Sequence, residues 1–331
     1  MNIPFLFRAP PKIVAVAWAS STLHILSIRQ QQQQWLVDDY QQCTFALPSF
    51  TSHDTPHDGN EPTSASWHDD WHRLFAQAVE EMAVQIASPL QVVVALPERM
   101  VVRQWLNISP DLRDDEREQE IQFLLDERLP FAIDDAYMDF CEMTHPQDET
   151  QGNVLCVATL QHHVQQIVAC FKAVGWQVQA VESEQFALER SLSFMADYFP
   201  LGVQDVLVLH LDADRVLLHD YRHQRPQGHI HYFREHSIAS PSQFGEMYAE
   251  ALRALQYYQS SSHAQAIQYV LLAGRYANAE MVQQLQQQGY RVELANPIAQ
   301  MHCAEQVNQT LLYQNAPQLL QACGLALRAY V

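Results

Sequence analysis

Two aspartates and one arginine are the side chains in this sequence best suited to chemistry on a phosphate group. Asp212 and Asp214 lie in a turn between two apolar runs, and Arg275 follows Gly274 in a later turn. Sites of phosphoryl transfer commonly use an arginine or a lysine to hold phosphate charge. Aspartate is also favoured in turns, because its short side chain tolerates left-handed backbone geometry. Both interpretations of these residues remain open.

Other polar clusters could bind a metal ion or act as an acid and a base. His68 and His72 have the i, i+4 spacing of metal ligands on a helix, and His229 and His231 would share one face of a strand. No third ligand accompanies either pair, so we predict no metal site, and a solvated helix start at His68 and His72. The acidic segment at residues 111–120 and the pair at residues 162–163 are predicted to be solvated surface.

Two hairpins and one strand–turn–helix unit must position these groups. Residues 13–28 and 206–219 each contain two apolar runs around a short turn, which is typical of a β-hairpin buried on both faces. The first turn is Ser20, Ser21 and Thr22. The pattern predicts an internal duplication. Residues 269–278 are predicted to form a strand, a turn at Gly274 and the start of a helix.

The composition limits the possible functions. The formal net charge is −19, from 38 acidic and 19 basic residues, so binding to nucleic acid or to an anionic membrane is not expected. Lysine occurs only at Lys12 and Lys172. The chain has nine glycines, against about 23 at average usage, which argues against several glycine-rich phosphate loops.

Length and cysteine usage indicate a large protein of a reducing compartment. The 331 residues suffice for two lobes, and the six cysteines form no close pair. No apolar stretch is long enough for a transmembrane helix, and the apolar N-terminus is too short for a signal peptide. We therefore expect a cytoplasmic protein.

The remaining pattern alternates between strands and helices, with solvated loops at residues 30–34 and 49–66. Helices are predicted at residues 67–86, 109–129, 162–174, 184–199, 240–260, 277–288 and 317–330. Strands are predicted at residues 91–96, 100–108, 136–143, 154–160, 176–181, 229–234 and 290–294. In the helix at 109–129, Ser109 is the predicted N-cap and Pro110 the first helical residue.

The duplicated hairpin and the late strand–glycine–helix unit together resemble the actin-like ATPase superfamily. The likeness implies that the two hairpin turns lie at the phosphates and the third turn lies against the adenosine. More narrowly, the chain resembles the PilM family of type IV pilus and DNA-uptake systems, with its HofM and ComA relatives, close in fold to FtsA. The segments that carry this resemblance are Val14–His24, Val93–Pro97, Leu129–Phe131, Gly175–Val178, Asn296–Pro297 and Ala316–Arg328.

The resemblance implies an α/β fold of two lobes, of the actin-like or ribonuclease H-like type, with duplicated mixed sheets. The first lobe would comprise residues 1–200, with a small α/β subdomain inserted at about 89–174. The second would comprise residues 201–331, with a small subdomain at about 226–267. The C-terminal helix at 317–330 would return to the first lobe.

The family's nucleotide motifs are altered in this sequence. Ala17, Ala19 and His24 stand where the first motif has Asp, Gly and Lys, around the hydroxyls of Ser20, Ser21 and Thr22. In the second motif His210 precedes Asp212, and in the third Gly274 is followed by the bulky Arg275. Loss of aspartate at positions 17 and 210 removes ligands for Mg²⁺ or its waters. We therefore expect no cofactor, and weak or no binding of ATP and Mg²⁺.

The resemblance also implies a role and a partner. Proteins of this kind are adaptors at the inner membrane that hold the cytoplasmic N-terminal tail of a bitopic PilN-like or HofN-like protein beside the inserted subdomain. Leu129, Pro130 and Phe131 are the candidate groove residues. Contact with the membrane would come only through the partner, and self-association is possible.

Two other functions remain open from the sequence. The chain could be an active ATPase or a relative of sugar kinases with an atypical phosphate pocket, which would use Asp212, Asp214 and Arg275. It could also be a binding module unrelated to pili. An ATPase or a sugar-kinase relative would turn over nucleotide, whereas an adaptor would not.

Overall fold

The computed structural model describes residues 13–19, 22–44, 64–86, 90–142, 152–200, 203, 205–212, 216–222, 230–234, 244–260, 267 and 269–330. Within residues 64–71 and 230–234 it describes the backbone alone. Ser20, Ser21, Asp214, His229 and the predicted loop at residues 49–63 lie outside the described residues.

Fourteen strands and eight α-helices are found in the described residues. The strands are β1 Ile13–Ala19, β2 Thr22–Gln31, β3 Gln34–Thr44, β4 Gln91–Leu96, β5 Val102–Leu106, β6 Ala136–Glu142, β7 Val154–Leu160, β8 Gln177–Ser183, β9 Asp205–Leu211, β10 Val216–Arg222, β11 Ile230–Arg234, β12 Val270–Ala273, β13 Val292–Leu294 and β14 His302–Cys303. The helices are α1 Ser64–Gln85, α2 Asp114–Asp126, α3 Gln161–Ala173, α4 Glu184–Ala196, α5 Phe244–Ser260, α6 Ala279–Gln287, α7 Gln309–Gln314 and α8 Leu320–Leu327.

The two large sheets repeat one topology. The strand order is β14-β3-β2-β1-β4-β8 in the first and β11-β10-β9-β12-β13 in the second. In each, three antiparallel strands precede two strands that run parallel to the first of them. The predicted pair of hairpins is confirmed at β1–β2 and β9–β10, and the mixed α/β class is confirmed as well.

Strand β1 is apolar on both faces because each face packs against helices. Val14 and Val16 pack with Phe75 of α1 and Phe171 of α3. Ala15 and Ala17 face the opposite way, into a cluster that includes α8. Burial on both sides explains why β1 is a continuous apolar run rather than an alternating one.

Strand β3 was not predicted from the sequence. The glutamine tract, predicted as a loop, forms the tight turn of a hairpin: only Gln32 and Gln33 leave the strands, both at positive φ, 50° and 65°. In β3 every third residue is buried, namely Val37, Tyr40 and Cys43. The two-residue alternation that identifies a half-buried strand is therefore missing.

A separate three-stranded antiparallel sheet, with order β5-β7-β6, is inserted between β4 and β8. Helix α2 covers it, with Ile121 and Leu125 packed against Leu106 and Cys156. The predicted start of this helix was wrong, because α2 begins at Asp114, with Arg113 as its N-cap. Ser109 instead opens a turn in which Leu112 N–H donates to the Ser109 carbonyl, and proline suits the second position of such a turn.

Several other helix and strand boundaries differ from the predictions. The strand predicted at residues 100–108 is shorter, since residues 98–100 form a 3₁₀ turn. The helix predicted at residues 317–330 is α8 flanked by two 3₁₀ turns. No helix within the described ranges is both long enough and apolar enough to cross a membrane.

Helix α8 crosses α4 at very close range, and a glycine makes this possible. A Cβ atom at Gly324 would overlap the Ala187 carbonyl oxygen of α4. The Gly324 carbonyl on α8 accepts a 2.7 Å hydrogen bond from the Arg190 side chain on α4. The backbones therefore touch, and neither can move aside without breaking this bond.

We expect Gly324→Ala to lower the free energy of unfolding by about 3 kcal/mol, because the added methyl group overpacks two helix backbones. Gly245→Ala is the matched control, since a Cβ atom there would meet nothing within 4 Å. It should leave stability unchanged or raise it by up to about 1 kcal/mol. Urea titrations measure both, and equal stabilities of the two variants would contradict the close crossing.

Candidate functional site

The first hairpin places an alanine and a histidine opposite one another. Ala17 on β1 pairs in register with His24 on β2, and Ala19 pairs with Thr22. Ala17, Thr22 and His24 are all buried. The hydroxyl oxygens of Thr22 and Thr44 lie 3.4 Å apart.

His24 is completely buried, at 0% exposure. Its Nδ1 lies 3.1 Å from the hydroxyl of Tyr40 on β3, and that hydroxyl donates to the Gln42 Oε1 atom at 3.2 Å. The Gln318 side chain and Asp212 of the second hairpin both lie within electrostatic range of the ring. The structure thus brings residues of both hairpins and of the C-terminal segment together around one imidazole.

The Asp212 carboxylate lies against both the second and the third predicted motif. Its Oδ1 accepts a 2.9 Å hydrogen bond from the Arg275 backbone N–H, and its Oδ2 lies 2.8 Å from His210 Nε2. Asp212 is fully buried, and His210 is 5% exposed. The second and third predicted motifs are therefore bound to each other by this carboxylate.

Gly274 allows the third turn to lie against β9. Its φ is +91°, a left-handed value, and a Cβ atom would come within 2.7 Å of the His210 ring. Its N–H donates to the Pro317 carbonyl at 2.8 Å. The Arg275 side chain is exposed, and the Tyr276 ring packs against the core of the second sheet.

Burial determines the ionisation of His24. Loss of solvation lowers the pKa of His24 to about 4, and the interactions with Asp212 and Gln318 only partly oppose this. The folded protein therefore holds the ring neutral at pH 7. A neutral ring cannot supply the positive charge that a lysine would bring to the same position.

The buried neutral ring makes stability depend on pH. Because the pKa of His24 is lowered in the folded state, its contribution is fully present above pH 6.5 and is lost as pH falls towards 4. We expect a loss of about 3 kcal/mol over this range from this residue. Urea titrations of wild type and His24→Asn at several pH values measure it. A stability difference between the two proteins that stays constant over this range would contradict a buried neutral His24.

A cavity of about 990 Å³ lies between the inserted sheet and the first large sheet. Consecutive residues of two strands line it, Tyr137–Cys141 of β6 and Val178–Ser183 of β8. Neighbouring residues on a strand face opposite ways, so a run of them can line a cavity only along the strand's edge. Both strands are the last in their sheets as described. We call this cavity the edge groove.

One face of α4 forms a wall of the edge groove. The lining residues at the helical spacing are Phe186, Glu189, Arg190, Ser193 and Phe194. Val168 of α3 also lines the groove and is 37% exposed. The sequence contained this signal, because these positions of α4 repeat with the period of one helix face. It was missed because nothing in the sequence places β6 beside β8.

Two ion-pair groups with buried carboxylates flank the edge groove. Glu182 accepts hydrogen bonds from Arg190 at 2.7 and 3.1 Å and also pairs with Arg328. Arg103 pairs with Glu98, and its guanidinium lies over the Phe186 ring at 5.6 Å. These arginines are therefore already engaged within the protein.

The three predicted groove residues lie elsewhere. Leu129 packs into the core beneath α2, Pro130 is exposed and Phe131 is half-buried. None of the three lines the edge groove. They belong to the segment that joins α2 to β6.

Among the side chains that the structure describes, no group of three His, Cys, Asp or Glu could hold a metal ion. The His68, His229 and His231 side chains lie outside the described part of the chain. The His72 and His163 rings stack at 5.7 Å, and both are buried. The surface placement predicted for His72 and His163 was therefore wrong, whereas His162 is exposed. Asp114 and Asp115 are exposed as predicted.

The two matched sheets, with their strand order and the inserted sheet, define an actin-like fold. The chain is similar to the solved structure of a PilM–PilN type IV pilus biogenesis complex, with TM-score 0.63 and 17% identity over 97% of this chain and 99% of that chain. It also matches an actin-like ATPase-fold protein of unknown function from Bacteroides thetaiotaomicron (TM-score 0.47, 9% identity, 98% of this chain and 99% of that chain). A third match is the cytoplasmic domain of EpsL, an inner-membrane component of the type II secretion system of Vibrio cholerae (TM-score 0.43, 13% identity, 92% of this chain and 94% of that chain).

The family model of the type IV pilus assembly protein PilM matches residues 68–239 and 235–330 of the chain. These matches cover most of the sequence. The chain belongs to the PilM family of type IV pilus assembly proteins.

Proposed function

We propose that this protein is a cytoplasmic adaptor of the inner-membrane platform for type IV pili or DNA uptake, and that the edge groove binds the cytoplasmic N-terminal tail of a PilN-like membrane protein. The observation that carries the proposal is the pair of strand edges, β6 and β8, that line one cavity. The similar PilM–PilN complex supports it. The protein would reach the membrane only through this partner.

A strand edge is suited to an extended peptide. Its unpaired backbone N–H and C=O groups can hydrogen-bond to a new strand, and neighbouring side-chain pockets then select the sequence. The six lining residues of β8 span about 20 Å at about 3.3 Å per residue. That length suits an extended tail of about six residues.

The apolar lining makes burial of the tail favourable. The apolar residues Leu155, Val157, Ala158, Phe186 and Phe194 are among those that line the groove. Removing apolar surface from water stabilises a complex by roughly 25 cal/mol per Å². A tail with alternating apolar residues would bury one face here and hydrogen-bond along its backbone.

We further propose that the actin-like nucleotide site is degenerate and that the protein is not an enzyme. His24 lies beside Gln318 and near Asp212 of the second hairpin, and the Asp212 carboxylate accepts the Arg275 backbone N–H. A triphosphate needs cationic or N–H groups directed at its oxygens, and the neutral His24 ring supplies no cation there.

Calorimetry with two titrations in sequence tests this function. We expect no heat when Mg·ATP is added to the purified protein, followed by a clear binding isotherm with a synthetic PilN-like tail. Micromolar ATP binding with turnover would favour the alternative of an actin-like ATPase or sugar-kinase relative. Absence of tail binding would overturn the proposed adaptor role.

A matched pair of valine variants tests the location of the binding site. Val168→Arg introduces a charge at the rim of the groove, and we expect it to weaken tail binding by about tenfold or more. Val84→Arg makes the same change on α1, where Val84 is 86% exposed and does not line the groove. It should bind the tail with wild-type affinity. If the two variants change the affinity for the tail equally, the tail binds outside the edge groove.

A further inference from the structure

One carboxylate on the wall of the edge groove lacks a charged partner. Glu189 lies on the α4 face that lines the groove and is only 6% exposed. Its Oε1 accepts a 2.7 Å hydrogen bond from the Gln185 amide. Its other oxygen, Oε2, has no hydrogen bond or ion pair with any residue that the structure describes. A buried carboxylate normally has a cation or several donors beside it.

The cations near Glu189 are engaged by other carboxylates. Arg103 is close enough to influence Glu189, but it pairs with Glu98. Arg190 and Arg328 both pair with Glu182. Glu98 beside the groove and Glu182 in its lining are therefore matched with arginines, whereas Glu189, the other buried acid of the lining, is not.

We propose that Glu189 is a subsite for a basic side chain, lysine or arginine, of the segment bound in the edge groove. The proposal rests on the proposed function, because it assumes that a partner tail occupies this groove. It adds a chemical requirement to that function, since the tail must place a cation at the α4 wall. A hydrogen-bonded ion pair in this buried position would also fix the register of the tail.

The ionisation of Glu189 agrees with this role. Burial raises the pKa of Glu189 to about 7, and the Gln185 hydrogen bond and Arg103 only partly oppose it. The Glu189 charge in turn contributes to the raised pKa of two other groups, Cys141 of β6 and Tyr221 of β10. A bound cation favours the charged carboxylate, so binding of a basic tail should release a proton near neutral pH.

The test is a double-mutant cycle with the full-length protein. The two probes are the synthetic N-terminal tail of the PilN-like protein and the same peptide with its basic residues replaced by glutamine. The two proteins are wild type and Glu189→Gln, and Glu118→Gln is the charge-matched control because Glu118 is exposed on α2. Calorimetry at pH 6 and pH 8 measures all the affinities.

We expect Glu189→Gln to weaken binding of the basic tail by about tenfold, the usual scale for a hydrogen bond to a charged group. The neutral peptide should bind both proteins equally, and the control should match wild type. Wild-type affinity for the basic tail should be higher at pH 8 than at pH 6, and Glu189→Gln should remove this dependence.

The experiment distinguishes failure of the proposed function from failure of the Glu189 subsite. If neither peptide binds wild type, the proposed function is wrong. If the basic tail binds wild type and Glu189→Gln equally, and equally at both pH values, the groove binds a tail but Glu189 is not a cation subsite.

A stability measurement separates a binding residue from a structural one. The folded-state pKa of Glu189 is raised above its unfolded value, so its contribution to stability is lost as pH rises from 4.5 through 7. Glu189→Gln should therefore melt at a higher temperature than wild type at pH 8 and at the same temperature at pH 4. A lower melting temperature for the variant at pH 8 would indicate that Glu189 stabilises the fold, which contradicts an uncompensated carboxylate.

Discussion

The close crossing of α8 over α4 at Gly324 is the contact on which both candidate sites depend. The crossing holds the last described residues of the chain against the first large sheet. Just before α8, the Pro317 carbonyl accepts a hydrogen bond from Gly274, and the Gln318 side chain lies beside His24. Just after α8, Arg328 pairs with Glu182 at the edge groove, and the Tyr330 hydroxyl donates to the Ile28 carbonyl. One segment therefore joins the two hairpins and also forms part of the groove.

This arrangement bears on how an actin-like fold can serve as an adaptor. In the proposed function the ligand is a peptide at the strand edges rather than a nucleotide between the hairpins. His24 is buried and neutral, and the Asp212 carboxylate accepts the Arg275 backbone N–H, so neither supplies a cation for a phosphate group. By contrast, burial of the unpaired Glu189 carboxylate costs stability that a bound cation would restore.

The sequence predicted the elements whose signal is local. The hairpins β1–β2 and β9–β10 were found because both faces are buried, which leaves continuous apolar runs. Strand β3 was missed because its buried residues recur every third position. The start of α2 was misplaced because a Ser-Pro pair favours both a helix N-terminus and a turn, and here the turn at Ser109 forms. The family resemblance, by contrast, depended on many short segments in order, and the family match confirms it.

The sites were only partly predictable for a related reason. His24, His210, Asp212 and Gly274 were identified from motif positions, but their partners Tyr40 and Gln318 come from distant parts of the chain. The edge groove depends on two strands of different sheets lying side by side, which no local pattern encodes. Leu129, Pro130 and Phe131 were chosen because they match a family motif, and none of them lines the edge groove.

Amide hydrogen exchange of the full-length protein, with and without the PilN-like tail, tests the central claim most directly. The account predicts that alternate backbone amides of β8 or β6, those directed into the edge groove, gain protection when the tail is bound. The loops around Asp212 and Gly274 should be unaffected by Mg·ATP. A tail that binds tightly but leaves both strand edges exchanging as before would contradict the account.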